Sequence, residues 1–341
     1  MSISKVLLFI FVFVGINFWV GPIDKVRKIP STPWAEKETF KEQLISTKPE
    51  VVLIGNSMLG WGVDSTQLSE RLDLKVVKFA RGGAASAWFY LVFKNVVASV
   101  DTPPRIVCIF FRDSFLTKPK YRTRGKYKQS IEGMAHHEEP LLDSLAYAPP
   151  GLEKYLNQIP LYSKRNDISI FIDHVIKDIF TVNLLNLKIG DPEKSISRVF
   201  DESNLDQVQL NAEQIKAETL KRAQHPISFE DELSSSFLPA ILDIAKEKKI
   251  QLVFVRIKRK RDLIYNEELA SFEPYIEEMS KYFRNNDIIF IDFTYDDRIK
   301  EIHYDVGDHL EPKIGKPLFT DILADKLRPI VEDNIVFNAS N

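Results

Sequence analysis

The stretch that decides the fold of this chain is Val51-Val52-Leu53-Ile54-Gly55-Asn56-Ser57-Met58. Four consecutive β-branched or leucine residues after a polar segment are typical of a strand buried on both faces in a parallel sheet. Small polar residues follow at its carboxyl end, where open α/β sheets place their ligand sites. The stretch therefore predicts an interior strand that presents Ser57 as a nucleophile, although serines in such turns often only satisfy backbone groups.

Strand and helix patterns alternate along the chain on both sides of this segment. Such alternation implies parallel strands joined by right-handed crossovers. The predicted fold class is α/β, a three-layer sandwich with a central parallel sheet of about five strands. The predicted strands are 51–54, 75–79, 105–111, 250–257 and 288–292, and the predicted helices are 33–44, 65–72, 86–100, 229–249, 266–284 and 312–332.

A second chemically suggestive segment lies near the other end of the chain, Asp305-Val306-Gly307-Asp308-His309-Leu310. It offers a histidine base with nearby carboxylates, the partners that activate a serine hydroxyl. The two segments together predict acyl transfer through Ser57, with His309 as the base. Asp305, or alternatively Asp308, is predicted to orient His309. The competing interpretation is that these aspartates only shape the turn.

These segments resemble blocks of the SGNH/GDSL hydrolase superfamily. Gly55-Asn56-Ser57 corresponds to the first block, and the last segment is similar to its Asp-x-x-His-Leu block. Two departures stand out. Asp305 lies four residues before His309 instead of three, and Arg112-Asp113-Ser114 stands where the family commonly has Gly-x-Asn.

The resemblance implies an SGNH-hydrolase-like fold and an oxyanion hole. Its donors would be the backbone amide of Ser57 and that of Gly82 or Gly83, which follow the second predicted strand. Arg112 is a further candidate donor, in place of the missing asparagine, or a ligand for an acidic substrate group. Both glycines could equally be present because the backbone needs a positive φ.

Two more residues beside the expected site are assigned supporting roles. The resemblance implies that Asn56 supports the turn that carries Ser57 and does not react. Asp113 follows Arg112 at the end of the third predicted strand, so an Arg–Asp structural pair is an alternative to a role of Arg112 in chemistry.

The amino-terminal residues predict a membrane anchor. Residues 6–23 form an uncharged, mostly apolar run that is long enough as a helix to approach the thickness of a bilayer. A cleaved signal peptide is the competing interpretation, but the run lacks a small-x-small cleavage pattern. We expect an anchor in residues 1–24, a stalk in 25–48 and one α/β domain in 49–341, placed outside the cytoplasm on the strength of the enzyme hypothesis alone.

Residues 113–227 interrupt the strand and helix rhythm. They contain the helical patterns 168–187 and 207–222 and would emerge after the third strand, at the carboxyl edge of the sheet. We expect an insertion that acts as a lid, a glycan-binding face or a docking surface. A helical subdomain that only covers the core is the alternative.

Membrane-anchored members of the superfamily resemble the extracytoplasmic partners of membrane-bound O-acyltransferases. The resemblance implies that such a membrane protein supplies the acyl donor and that the anchored serine enzyme acetylates an exported bacterial polysaccharide. An esterase or deacetylase of the same fold is one alternative. A catalytically silent glycan-binding or scaffolding partner is another.

Composition and the remaining motifs indicate no further partners. A net charge of −2 gives no broad electrostatic reason to bind nucleic acid. The single Cys108 lies in an apolar strand and fits a core residue. His136-His137-Glu138-Glu139 lacks the spacing of a metal site, and no cofactor motif is present. The run 258–261 is most simply a solvated cationic loop, with anionic glycans or lipid headgroups as a secondary possibility.

Overall fold

The fold is built on one parallel β-sheet with the strand order β2-β1-β3-β4-β5. The computed structural model describes residues 33–147, 204–305 and 307–339. The strands are β1 (Val51–Gly55), β2 (Val76–Ala80), β3 (Ile106–Phe111), β4 (Gln251–Arg256) and β5 (Ile289–Asp292). The predicted five-stranded parallel sheet is confirmed, and each strand lies within two residues of its predicted bounds.

Helices cover both faces of the sheet. They are α1 (Pro33–Thr47), α2 (Ser57–Gly62), α3 (Ser65–Leu72), α4 (Ser86–Val92), α5 (Lys128–Met134), α6 (Asn204–Gln224), α7 (Phe229–Leu233), α8 (Leu238–Lys248), α9 (Lys260–Ile264), α10 (Asn266–Ala270), α11 (Glu273–Asn285) and α12 (Gly315–Ala339). Shorter helical turns span Phe93–Val97, Phe115–Thr117, Gly125–Tyr127, Pro140–Leu142, Asp143–Tyr147 and Glu301–His303.

The central strands are apolar throughout because they are buried on both faces. Alternate side chains point to opposite sides, as the period of two in a strand requires. Val52 and Ile54 of β1 join an apolar cluster with α1, α4, α8 and α11. Val51 and Leu53 join a second cluster with α2, α3 and α12. The sheet is therefore the middle layer of three.

Cys108 belongs to the second cluster and is completely buried. Burial in these apolar surroundings raises the pKa of its thiol well above the usual range, because the thiolate would lose its hydration. The single cysteine is a core residue with little nucleophilic character at neutral pH.

Two helices that the sequence predicts as continuous are each divided. The predicted helix 229–249 is interrupted between α7 and α8, and the predicted helix 266–284 is interrupted between α10 and α11. Pro239 and Pro274 lie in the first turns of α8 and α11. Proline fits the first turn of a helix but not its interior, so each proline marks a new beginning.

Helix α1 packs onto the sheet and includes residues that the sequence assigned to the stalk. Leu44 is buried in the first cluster, and the rings of Phe40 and Phe79 stack with centroids 4.3 Å apart. Glu36 forms an ion pair with Arg81. The folded part of the chain therefore includes residues before Pro49. In the described ranges, no helix is long and apolar enough to cross a membrane, and the predicted anchor lies outside those ranges.

The chain divides into two compact units, and Thr32–Tyr147 together with Gln214–Asn341 form the one that contains the sheet. The described beginning of the predicted insertion is anchored to this unit through a buried carboxylate. Glu139 accepts hydrogen bonds from Lys94 (2.6 Å) and Asn95 (2.7 Å). The predicted helix 207–222 lies within α6, and the predicted helix 168–187 lies outside the described residues.

Candidate active site

Ser57 is the first residue of α2, directly after the turn that ends β1. The backbone N–H of Met58 donates to the side-chain oxygen of Asn56 (2.9 Å), so Asn56 caps the helix. A Cβ at Gly55 would lie 2.8 Å from the Cβ of Leu59 and 3.0 Å from the Cβ of Phe110. The turn therefore requires glycine, and it holds the start of α2 in one position.

The other end of α2 is fixed by a half-buried lysine. Lys78 of β2 donates to the carbonyl oxygens of Gly60 (3.1 Å) and Val63 (2.6 Å). Burial, with a contribution from Lys316, lowers the pKa of Lys78, but the ammonium still satisfies carbonyls that the short helix leaves without partners. Both ends of the helix that carries Ser57 are thus anchored.

The hydroxyl of Ser57 lies at the start of α2, on the helix that also carries Trp61. Ser57 is partly exposed and makes no hydrogen bond through its hydroxyl within the described residues. Trp61 lies four residues later and therefore on the same face of α2. The ring centroid of Trp61 is 6.2 Å from that of His309, with the rings tilted by 47°. The predicted base His309 therefore lies beside the helix that carries Ser57.

His309 projects from a closed loop. Tyr304 and Leu310 form an antiparallel bridge, and the N–H of Asp305 donates to the carbonyl of His309 (2.9 Å). Gly307 has a φ of +80°, which turns the chain inside the loop. The Tyr304 hydroxyl donates to the carbonyl of Lys258 (2.9 Å) and fixes the base of the loop.

The two candidate carboxylates occupy different environments. Asp308 is partly buried and accepts hydrogen bonds from Nη1 of Arg112 and from the N–H of Arg261, both at 3.2 Å. Asp305 is exposed. Within the described ranges, neither carboxylate is hydrogen-bonded to the His309 ring, so the choice between them stays a prediction.

The surroundings of His309 favour its neutral form. Burial is the largest influence and lowers the pKa of His309, because the charged imidazolium would lose hydration. Asp308 and, less strongly, Asp305 oppose this change, while the positive charge of Arg112 adds to it. A neutral imidazole at neutral pH can accept the proton of a serine hydroxyl.

Replacing Arg112 with glutamine is expected to move the acidic limb of the pH profile to higher pH. Arg112 disfavours protonation of His309, so its loss raises the pKa of His309. The measurement is kcat/KM against pH for hydrolysis of p-nitrophenyl acetate. Arg105→Gln, an exposed arginine at the opposite end of β3, is the matched control and should cause no shift. A shift to lower pH would contradict the assigned effect.

The predicted oxyanion glycines lie in the turn that follows β2. The N–H of Arg81 donates to the carbonyl of Gly55 (3.2 Å), and the N–H of Ala84 donates to the carbonyl of Arg81 (3.0 Å). Among the described residues, the amides of Gly82 and Gly83 have no acceptor. The Ser57 amide, at the start of α2, has no acceptor within its helix. These amides can therefore serve as the donors that the resemblance implies.

The two glycines differ in what their backbone permits. Gly83 has a φ of +76°, and a Cβ there would lie 2.3 Å from Cε1 of Tyr127. Glycine is required at this position for both reasons. A Cβ at Gly82 would meet nothing within 4 Å, so Gly82 borders open space.

A ladder of rings and guanidinium groups, here called the aromatic rim, connects the neighbourhood of His309 with the glycine turn. Arg112 lies over the ring of Phe115 (5.6 Å), which stacks on Tyr121 with centroids 4.1 Å apart. Arg122 lies over Tyr121 (5.0 Å) and over Tyr127 (5.3 Å), the residue that covers Gly83. The rim thus borders the carboxyl ends of β2 and β3.

The cationic run 258–261 is not a solvated loop, and this correction also explains Asp113. Arg259 is 2% exposed and pairs with Asp113 (2.9 Å), Asp262 and Glu268 (3.7 Å). We call these four residues the buried charge cluster. Opposite charges compensate for the loss of hydration, so a charged run can be buried. The acidic partners Asp262 and Glu268, which follow the run closely, were the overlooked signal.

Asp113 is primarily a partner of Arg259, and its distance of 3.9 Å from Nε of Arg112 makes that pair the weaker one. Arg112 instead contacts Asp308. The cluster therefore supports the strand ends from which Arg112 projects. In the described ranges, no group of three His, Cys, Asp or Glu side chains is arranged to hold a metal ion.

Comparisons with known proteins find similarity at the level of structure only. No family model matches the chain, and no curated protein matches its sequence. A structure described as an acylhydrolase from Bacteroides fragilis NCTC 9343 aligns with a TM-score of 0.42 and 10% identity, covering 87% of this chain and 98% of that one.

Two further structures are described as GDSL-like lipases. The one from Bacteroides thetaiotaomicron VPI-5482 has a TM-score of 0.38 and 10% identity and covers 86% of this chain and 99% of that one. The one from Parabacteroides merdae ATCC 43184 has a TM-score of 0.37 and 11% identity and covers 82% and 94%. At such TM-scores and identities these structures transfer no residue roles and no substrate to this chain.

Proposed function

We propose that this chain is a serine-dependent enzyme of ester chemistry, in which Ser57 is acylated and His309 is the general base. The observation that carries the proposal is the position of His309 beside Trp61, on the face of α2 that also carries Ser57. The free Ser57 hydroxyl and the lowered pKa of His309 are the properties that this chemistry needs.

In the first half-reaction, His309 takes the proton of Ser57 as its oxygen attacks the ester carbonyl. The tetrahedral oxyanion is held by the amides of Ser57 and of Gly82 or Gly83. The intermediate then collapses, and the leaving alcohol receives the proton from His309. An acyl-serine remains.

The second half-reaction decides between a hydrolase and a transferase. Water releases the free acid from the acyl-serine, whereas a sugar hydroxyl produces an O-acyl sugar. We favour transfer to an exported polysaccharide, with an acyl donor supplied by a membrane-bound O-acyltransferase and the chain attached to the membrane through its amino terminus. This finer proposal is supported by the resemblance of the sequence blocks.

One observation supports a second candidate function, that of a catalytically silent protein that binds glycans or acts as a scaffold. Within the described ranges, the His309 ring makes no hydrogen bond to Ser57, and Asp308 is bound to Arg112. Catalytic hydrogen bonds often tighten only when substrate binds. The first candidate therefore requires that Ser57 and His309 come within hydrogen-bonding reach in the substrate complex.

Intact-mass analysis after exposure to p-nitrophenyl acetate tests the proposal. We expect one acetyl adduct on the full chain that is absent in Ser57→Ala. Ser65→Ala is the matched control, because Ser65 is likewise the first residue of a helix, the next one along the chain. A Ser57-independent adduct, or none on a folded protein, would favour the silent candidate.

A further inference from the structure

We propose that Trp61 is the platform on which a sugar ring of the acyl acceptor stacks, next to Ser57. The inference rests on the proposed function, because it assigns the acceptor's position in the same site. It concerns a residue outside the predicted triad and oxyanion hole.

Trp61 is exposed where the rest of its helix is not. Its exposed fraction is 54%, whereas Met58, Leu59 and Gly62 of the same short helix are buried. Tryptophan is normally highly buried, and a large exposed apolar side chain carries information when it borders a site. The stability of α2 comes from its buried residues, Asn56 and Lys78, so packing does not require an indole at position 61.

The position of the indole fits one sugar ring. Ser57 and Trp61 are four residues apart, roughly 6 Å along the helix axis, which is comparable with the width of a pyranose. The centroid of the His309 ring lies 6.2 Å from that of the Trp61 ring. A sugar stacked on the indole would therefore present a hydroxyl to the acyl-serine and to the base that must deprotonate it.

The surroundings favour a sugar over a long acyl chain. A pyranose has one apolar C–H face for an aromatic ring and hydroxyls around its edge. Asp308 and Arg112, which neighbour His309, offer polar groups to those hydroxyls, and the indole N–H of Trp61 makes no hydrogen bond within the described residues. An acyl chain would need apolar walls on several sides, since its binding depends on removing apolar area from water.

Binding without turnover provides the first test. Full-length Ser57→Ala protein is titrated by calorimetry with cellohexaose, chitohexaose, mannohexaose and hexagalacturonate. We expect at least one to bind, with affinity reduced at least tenfold when Trp61→Ala is added and within threefold of the parent when Trp61→Phe is added. Ile45→Ala, which changes another exposed apolar residue, on α1, should leave binding unchanged. No binding by any of the four, or equal binding by the Trp61→Ala protein, would overturn the proposal.

Partition of the acyl-enzyme provides the second test. With p-nitrophenyl acetate as donor and the bound hexasaccharide as acceptor, Trp61→Ala should lower the ratio of transfer to hydrolysis at least tenfold. Trp61→Phe should keep most of that ratio. If Trp61→Ala instead selectively impairs turnover of p-nitrophenyl octanoate over the acetate, Trp61 binds the acyl chain and the sugar assignment is wrong.

The two proposals fail in different ways. Trp61-dependent glycan binding without any Ser57-dependent adduct would contradict the proposed chemistry and support the sugar platform. A Ser57-dependent adduct, together with glycan binding that does not depend on Trp61, would support the chemistry and contradict the sugar platform.

Discussion

Replacement of His309 by alanine is expected to reduce kcat/KM for Ser57-dependent ester turnover roughly 10⁴-fold, with little change in stability. Without the imidazole, no group accepts the serine proton or returns one to the leaving alcohol. The measurement is hydrolysis of p-nitrophenyl acetate by the full chain, corrected for the rate that Ser57→Ala retains.

His303→Ala is the matched control for this loop. His303 precedes His309 by six residues, and its ring accepts a hydrogen bond from the N–H of Lys300 (3.0 Å) instead of facing Trp61. Its replacement should change turnover less than threefold. Turnover by His309→Ala within tenfold of the original chain would exclude His309 as the base, whatever the fate of Ser57.

Replacement of Arg259 by methionine is expected to lower the free energy of unfolding by about 3–5 kcal/mol. Burial alone would lower the pKa of Arg259, but Asp113, Asp262 and Glu268 outweigh it and raise that pKa, so the guanidinium stays charged. Methionine would remove a counter-ion from three buried carboxylates. Glu268 would keep Arg261 (2.6 Å), whereas Asp262 would lose its ion-pair partner among the described residues. Urea denaturation followed by tryptophan fluorescence measures the loss.

Arg298→Met provides the comparison for this stability prediction. Arg298 is also paired with an aspartate, Asp296, but its side chain is 44% exposed, so the substitution should cost less than about 1 kcal/mol. Adding Asp262→Asn to Arg259→Met should recover part of the loss by removing one of the unpaired charges. A cost below 1 kcal/mol for Arg259→Met would show that the buried charge cluster does not hold the strand ends together.

The sheet and the turn carrying Ser57 could be predicted from the sequence because local patterns specify them. The unbroken apolar run at β1 predicts a strand without any tertiary information. Asp64 marks the start of α3, because its side chain accepts hydrogen bonds from the N–H groups of Thr66 and Gln67. Helix α3 has the bounds that the sequence predicts. His309 was predicted from its position before the last helix, and the structure brings it beside Trp61.

Some features that escaped prediction depend on partners distant in sequence. Arg259 is paired with Asp262, three residues later, but also with Asp113, which is far away in sequence and lies at the end of the neighbouring strand. The same holds for Asp308, whose partner Arg112 comes from the end of β3. Hydrophobic periodicity does not report such pairs. The division of the two predicted helices did not depend on distant partners. Pro239 and Pro274 mark the starts of the second helices in the local sequence.

Trp61 shows a further limit of reading motifs. A tryptophan shortly after a serine block is most simply assigned to the core, and only its exposure distinguishes a site residue from a packing residue. The spacing of four from Ser57 on one helix face was nevertheless present in the sequence.

The burial of Cys108 makes this chain convenient for site-directed spectroscopy. Because its one thiol is enclosed in the core, maleimide or spin-label reagents should find no native target on the folded protein. A cysteine introduced at Gly82, where a Cβ would project into open space, could then carry a single reporter at the mouth of the site. Its signal would report occupancy of the site without the native cysteine having to be replaced first.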